Sequence, residues 1–165
     1  MVLGIPLATY TLVHVLISLI GIAAGLVALR SMAPRITAVF LTFTILTSVT
    51  GFFFPNSHIT PGIILGIISM VVLAVAVVAR YFVAQTRRAQ AAYFISASIA
   101  EYLNLFVLVA QSFQKIPALH VLAPHGNEPA FFIGQVLVLV VFVGFARNGW
   151  KRTSHAAAAR AAASR

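Results

Sequence analysis

The sequence predicts an all-α integral membrane protein, a bundle of five transmembrane helices. Three observations lead to this fold class: 61% of the 165 residues are hydrophobic, only 8% are charged, and the mean hydropathy is +1.04. The apolar residues also fall in long blocks, whereas a soluble domain of this size hides its apolar residues in one core. The formal charge of +9 comes from residues at the ends of these blocks, where they act as topology signals and contacts for anionic lipid. We therefore expect the lipid bilayer, and no nucleic acid, as a partner.

Five apolar stretches come close to or exceed the roughly 20 residues that a helix needs to cross the hydrocarbon core. We place them at residues 6–29, 37–54, 62–83, 92–114 and 130–147, in one domain covering residues 1–150. The first begins without a basic leader and is too long for a signal-peptide core, so we expect it to be retained. The second is the shortest, which leaves open a four-span alternative with a re-entrant second segment.

Prolines, glycines and polar residues separate the spans, because they favour turns over continued helix. The connections are residues 30–35, 55–61, 85–90 and a longer segment at 115–129 that has prolines at 117, 124 and 129. Beyond the fifth span, residues 151–165 form a basic tail whose alanine-rich part begins after Ser154 and lacks a packing pattern. We expect this tail to be disordered.

The basic residues predict the orientation of the bundle. In the five-span arrangement ten of the eleven lie on one side, and only Lys115 lies on the other. Because Lys and Arg concentrate on the cytoplasmic side of membrane proteins, we expect an external N-terminus and a cytoplasmic C-terminus. The ten residues are Arg30, Arg35, Arg80, Arg87, Arg88, Arg147, Lys151, Arg152, Arg160 and Arg165.

The most unusual residue is Glu101, one of two acidic residues, in the middle of the fourth span. Ionisable residues inside a span normally face a bundle interior or a wet cavity and mark functional sites. Helical spacing places Glu101 on one polar stripe with Ser98, Asn104, Gln111 and Lys115. This stripe runs outward from the middle of the membrane.

A second stripe, on the first span, contains His14, Ser18 and the small-residue pair Gly21 and Gly25, which favours close helix packing. Similar depth makes His14 the expected partner of Glu101, directly or through water. We therefore predict a buried polar site, open towards the external side, that is formed by His14, Ser18, Thr47, Glu101, Asn104 and Gln111. The alternative is that these residues only hydrogen-bond one another and so hold the helices together.

Cofactor sites have weaker support in the sequence. The residues His58, His120, His125 and Glu128 lie in the external connections and are weak candidates for zinc or copper, because their spacing is irregular. Haem between helices ordinarily takes two histidines, and only one histidine, His14, lies inside a span. The sequence contains no cysteine and no aspartate, which excludes thiolate sites and Ser/His/Asp catalysis. We predict no haem, no metal and no enzymatic activity.

Three runs of sequence carry a resemblance to a family. They are LTSVTGFFFP at residues 46–55, YLNLFVLVAQ at residues 102–111, and the proline-containing segment at residues 113–129. Together they resemble a family of small uncharacterised bacterial multi-spanning inner-membrane proteins over most of residues 6–147. The resemblance implies a bacterial inner membrane and points to Asn104, Gln111, Lys115 and Glu128 within the matching runs. It implies no activity.

Three classes of function fit these features. The first is a protein that binds or conducts protons or a small polar solute. It would act as an oligomer, because five short helices enclose little volume, with contacts through the small-residue pairs Gly21/Gly25 and Gly62/Gly66. The second is a non-catalytic accessory or structural subunit of a larger membrane complex. The third is a haem- or quinone-linked membrane redox protein in which His14 and Glu101 manage protons.

Overall fold

The computed structural model describes residues 1–55, 58–83 and 86–163, and within these residues it contains helices and no strand. Five of these helices are long and apolar enough to cross a membrane. The elements are α1 (Leu7–Ser31), α2 (Pro34–Phe52), α3 (Pro61–Val77) with a π-helical extension (Val78–Phe82), α4 (Arg87–Lys115), the short α5 (Pro117–His120), and α6 (Pro129–Ala163). The five predicted helices are therefore confirmed. The second forms one continuous helix of 19 residues, as the five-span arrangement requires.

The helices begin and end where the local chemistry favours it. Prolines occupy the first turn of α2 and α3, where a backbone N–H has no helical partner. Thr60 and Thr86 cap α3 and α4, because each hydroxyl accepts a hydrogen bond from a backbone N–H three residues ahead, at 3.3 and 3.2 Å. α1 ends at Met32, which adopts a left-handed conformation (φ 52°), and its N–H still bonds the carbonyl oxygen of Ala28.

One end of the bundle, which we call the basic end, brings together the last turns of α1 and α3, the first turns of α2 and α4, and residues 145–152 of α6. Contacts between these segments fix the arrangement: the Arg30 guanidinium lies over the Phe145 ring at 5.5 Å, and the Phe94 and Trp150 ring centres are 5.2 Å apart. The basic end carries Arg30, Arg35, Arg80, Arg87, Arg88, Arg147, Lys151 and Arg152. Lys115 ends α4 at the opposite end.

The buried core lies in the half of the bundle nearest the basic end, and α4 is its central helix. α4 packs against α1, α2, α3 and α6. The fully or nearly buried members of this core are Ala28, Leu29, Phe40, Leu41, Leu73, Ala76, Ala79, Tyr93, Phe94, Ala97, Ala100 and Phe142. Small residues on α4 allow the other helices to approach it closely.

Glycines permit the closest helix crossings. A methyl group at Gly149 would lie 2.6 Å from the carbonyl oxygen of Leu29, so α1 and α6 touch through backbone atoms there. Gly21 faces Phe43 and Thr44 of α2, and this confirms that the small-residue stripe of the first span packs against another helix. Gly66 faces the Phe52 ring. Both small-residue pairs thus have contacts within the chain.

The periphery of the bundle combines an uncovered span with a helical tail. The least covered span is the fifth, in which 11% of the most apolar window is buried, compared with 22% in the third. The segment after residue 151 was expected to be disordered, but α6 continues through it to Ala163. Alanine has the highest helix propensity, and no proline or glycine follows Gly149 to end the helix. Parts of the predicted connections and tail, at residues 56, 57, 85, 164 and 165, lie outside the described residues.

Candidate functional site

The carboxyl group of Glu101 is completely buried where α4 meets α1 and α2. Its side chain has no exposed surface. Gly25 of α1 provides the space, because a methyl group there would lie 2.6 Å from the Glu101 carboxyl carbon and 2.8 Å from Cδ2 of Phe40. The glycine that the sequence assigned to helix packing therefore also accommodates the intramembrane acid.

By distance and angle, neither carboxylate oxygen of Glu101 forms a hydrogen bond with a described residue, although the Asn104 side chain is close enough to interact with the carboxyl group. Ser98 and Asn104 lie one turn away from Glu101 along α4, on either side of it. One turn further on, Asn104 donates from Nδ2 to the Thr44 hydroxyl oxygen at 3.3 Å. Thr44 itself is fully buried beside Gly21. Glu101 is thus an unsatisfied buried acid, a costly arrangement that native structures rarely contain without a role.

Polar side chains continue from Glu101 towards the end opposite the basic end. After Asn104 and Thr44 comes Ser48, which is 7% exposed. Beyond it the Thr50 hydroxyl lies 2.7 Å from Nδ1 of His14, and the Tyr10 hydroxyl donates to the Thr50 carbonyl oxygen at 2.7 Å. We call this set the polar row; its members are Glu101, Asn104, Thr44, Ser48, Thr50, His14 and Tyr10. It follows the interface of α1, α2 and α4.

The expected pairing of His14 with Glu101 is wrong. His14 precedes Gly25, the residue that faces Glu101, by eleven positions on the same helix. At 1.5 Å per residue this corresponds to about 16 Å along the axis of α1. His14 instead contacts Thr50 and lies edge-on to the Phe54 ring, with ring centres 5.1 Å apart. Glu101 and His14 both belong to the polar row, Glu101 at its inner end and His14 near its outer end.

Three other predicted members of the site lie elsewhere. Ser18 donates its hydroxyl to the carbonyl oxygen of His14, and Thr47 donates to that of Phe43, so both are satisfied within their own helices. Gln111 is exposed. The sequence places Ser98, Glu101, Asn104 and Gln111 on one helical face. In the structure α4 packs against several helices, so these four side chains do not share one site.

The sequence prediction missed Thr44, the residue that contacts Asn104. A signal was present in α2, where Thr37, Leu41, Thr44 and Ser48 recur at steps of four, three and four and form a buried stripe. Thr47 lies outside this stripe. The periodicity of the second span identifies the face of α2 that points into the bundle, and Thr44, unlike Thr47, lies on that face.

Towards the basic end, the apolar core covers Glu101. Phe40, Ala97 and Ala100 are fully buried around it or within one turn of it on α4. Two turns below Glu101 on α4, Tyr93 is 1% exposed, and the Arg80 guanidinium lies 5.9 Å from its ring centre. The polar row thus extends from Glu101 on one side, whereas on the other side Phe40, Ala97 and Ala100 separate Glu101 from the next buried polar side chains, Thr37 and Tyr93.

The acidic residue of the last connection has a structural role. The Glu128 carboxylate accepts hydrogen bonds from the backbone N–H groups of His125 and Asn127, each at 3.0 Å. Desolvation raises the pKa of Glu128, but these hydrogen bonds outweigh it, and the pKa of this carboxyl lies below its usual value of 4.5. The bonds close a turn at Gly126, whose φ is +74°.

Metal binding by the external histidines gains no support from this turn. Among the described residues, no three His, Asp or Glu side chains are grouped so that they could hold a metal ion. Glu128 uses both carboxylate oxygens within its own loop. Of the predicted ligands His58, His120, His125 and Glu128, the last two are in contact, but no third such side chain joins them among the described residues.

Comparison with known proteins identifies no family for this chain. The resemblance to small bacterial inner-membrane proteins stays a prediction, and the proposed function depends on the buried acid and the polar row. No protein-family model, curated protein or solved structure matches this chain.

Proposed function

We propose that this protein binds and conducts protons across a bacterial inner membrane, with Glu101 as the proton-binding site. The observation that carries the proposal is the placement of this carboxyl, which is fully buried, contacts Gly25 and has no cation beside it among the described residues. An unpaired carboxylate in such surroundings has a desolvation penalty of several kcal/mol, and binding a proton replaces the charge with a neutral polar group. Glu101 is therefore suited to take up and release protons when a polar contact reaches it.

The polar row supports access to Glu101 from the end opposite the basic end. Thr44, Ser48 and Thr50 follow one another at four and two residues along α2, and Asn104 with Thr44 forms the step next to Glu101. We propose that protons move along this row through intervening water. The apolar layer around Phe40 and Ala97 opposes leakage past Glu101 to the basic end.

The close packing around Glu101 favours a proton over a larger solute as the species that is bound and conducted. The Glu101 carboxyl fills the space beside Gly25 so closely that one added methyl group would overlap with it. A solute at this position would have to separate α1 from α4, whereas a proton needs no added volume. A narrow path of this kind also needs no wide pore, so the expected assembly into an oligomer stays a prediction.

The proposal includes an orientation of the protein in the membrane. We infer an external N-terminus and a cytoplasmic basic end, because eight Lys and Arg residues lie at the basic end and only Lys115 lies at the opposite end of the described bundle. The polar row then opens towards the external side, and the apolar layer lies between Glu101 and the cytoplasm.

Proton flux into proteoliposomes tests the proposal. A pH-sensitive dye inside the vesicles reports flux under an imposed membrane potential. We expect the wild-type protein to conduct and Glu101→Gln to lose conduction, because the amide keeps the shape of the side chain but does not titrate. The matched control is Glu128→Gln, which changes the only other acidic residue, in the external loop; its flux should equal that of the wild type.

Thermal unfolding in detergent shows whether each variant folds. Equal flux for the wild type and Glu101→Gln, with both proteins folded, would overturn the proposal and favour the accessory-subunit alternative. Equal flux in protein-free vesicles would overturn it as well. A second variant, Thr44→Val, removes the hydroxyl that Asn104 contacts and should slow conduction without abolishing it.

A further inference from the structure

A long apolar groove lies on the outer surface of the bundle between α4 and α6, and the polar row does not use it. Its volume is about 590 Å³. The residues that line it are Ala91, Phe94, Ile95, Ser98, Ile99, Tyr102, Leu139, Phe142, Val143, Ala146, Arg147 and Trp150. Arg147 is the only charged residue of the lining, and the groove belongs to the least covered span of the bundle.

The dimensions of the groove match one leaflet of a bilayer. The lining extends over eleven residue steps on each helix, from Ala91 to Tyr102 and from Leu139 to Trp150, or about 16 Å at 1.5 Å per residue. Half of a hydrocarbon core is about 15 Å thick. The groove starts at the basic end and runs parallel to the helices, so its course is that of an acyl chain of the leaflet next to the basic end.

Two polar side chains, Ser98 and Arg147, lie at the same depth along this groove. Ring contacts pair Phe94 with Trp150 at 5.2 Å and Tyr102 with Phe142 at 6.0 Å. Ser98, midway between the two rings on α4, therefore lies at the level of Ala146 and Arg147 on α6. The Ser98 hydroxyl is buried and has no hydrogen-bond partner among the described residues. Arg147 is thus the charged side chain at this level, and the rest of the exposed groove surface is apolar.

We propose that the groove between α4 and α6 binds an anionic glycerophospholipid. The acyl chain lies against Tyr102, Phe142 and Val143. The phosphodiester binds the Arg147 guanidinium, which extends towards the basic end as long basic side chains do near a membrane interface. Lys151, one turn beyond Arg147 on α6 and exposed, adds positive charge for the headgroup.

Charge favours this occupant over a second copy of the chain. Arg147, Lys151 and Arg152 lie close together on α6 at the basic end. Two copies that met through their α4–α6 grooves would bring these cations together at an interface with no acidic residue to compensate them, because Glu101 is buried and Glu128 is at the opposite end. An anionic headgroup neutralises the same cations.

Native mass spectrometry of the detergent-purified full chain tests the proposal, with dioleoylphosphatidylglycerol as the anionic probe and dioleoylphosphatidylcholine as the zwitterionic one. We expect the wild type to retain one phosphatidylglycerol per chain and to bind phosphatidylcholine more weakly. Arg147→Gln should weaken phosphatidylglycerol binding about fivefold, the contribution of one cation near an anionic lipid. Val143→Trp places a bulky ring in the groove and should weaken binding of both lipids.

Arg152→Gln is the matched control, because it removes the same charge from an exposed residue of α6 that does not line the groove. Its phosphatidylglycerol binding should exceed that of Arg147→Gln. Equal losses in the two variants would show general surface attraction and overturn the site. Equal wild-type affinity for both lipids would also overturn it, as would a dimer that excludes lipid and is disrupted by Val143→Trp. The inference does not depend on proton binding, since Glu101 contributes nothing to the groove.

Discussion

The two acidic residues of this chain have opposite surroundings, and backbone hydrogen-bond donors explain the difference. Glu128 precedes α6 and lies in a turn whose N–H groups are free of helical bonds, so two of them bind its carboxylate. Glu101 lies in the middle of α4, where every neighbouring N–H is committed to the helix. The Glu128 carboxylate therefore stabilises a loop, whereas the Glu101 carboxyl has no such backbone donors.

This difference predicts a titration at Glu128. The hydrogen bonds from the His125 and Asn127 N–H groups hold the pKa of Glu128 below 4.5. The stabilisation is therefore complete above pH 4.5 and is lost as the pH falls through the lower folded-state value. We expect the NMR amide shifts of both donors to titrate with a midpoint below pH 4.5. In Glu128→Gln this titration should be absent, and a wild-type midpoint at or above 4.5 would contradict the assignment.

Among the helices, the crossing of α1 with α6 depends on a single glycine. Gly149 meets the Leu29 carbonyl oxygen, and the ring pair of Phe94 with Trp150 packs beside it. A methyl group at this point meets backbone atoms, which cannot move aside as the end of a flexible side chain can. The helices themselves would have to separate.

We therefore expect Gly149→Ala to destabilise the protein by about 1–3 kcal/mol, the usual cost of overpacking. The matched control is Gly144→Ala on the same helix, where a methyl group would meet nothing within 4 Å. Its higher helix propensity should leave stability unchanged or raise it by up to about 1 kcal/mol. Equilibrium unfolding in mixed detergent micelles measures both variants. Equal stability of the two would show that α1 and α6 do not approach as closely as described.

The positions of the helices could be predicted from the sequence, whereas the contacts between helices could not. Hydropathy and turn residues predict all five long helices, and local chemistry explains why α2, α3 and α6 begin at Pro34, Pro61 and Pro129. The partner of Glu101 depends on how α1 slides and rotates against α4, which one helix's periodicity does not contain. Similar depth suggested His14, but the small residue Gly25 decides which turn of α1 meets the acid.

For the whole molecule, the distribution of charge is the strongest asymmetry. The basic end carries eight described Lys and Arg residues: Arg30, Arg35, Arg80, Arg87, Arg88, Arg147, Lys151 and Arg152. Lys115 alone lies at the other end. All but one of the ten basic residues on the basic side of the chain lie in short connections or within about 15 residues of a span, the range over which Lys and Arg set topology. The proposed proton path and the proposed lipid groove both take their direction from this asymmetry.

The absence of cysteine from the sequence allows the orientation to be tested by introducing single cysteines. We expect Ala118→Cys, in α5 at the opposite end, to react with a membrane-impermeant maleimide in intact cells. Ser31→Cys, at the end of α1, should react only after the membrane is permeabilised. Both positions are exposed and neither removes a charge, so accessibility alone decides the labelling. The reverse pattern would place the basic end outside and direct the polar row towards the cytoplasm, contrary to the positive-inside rule.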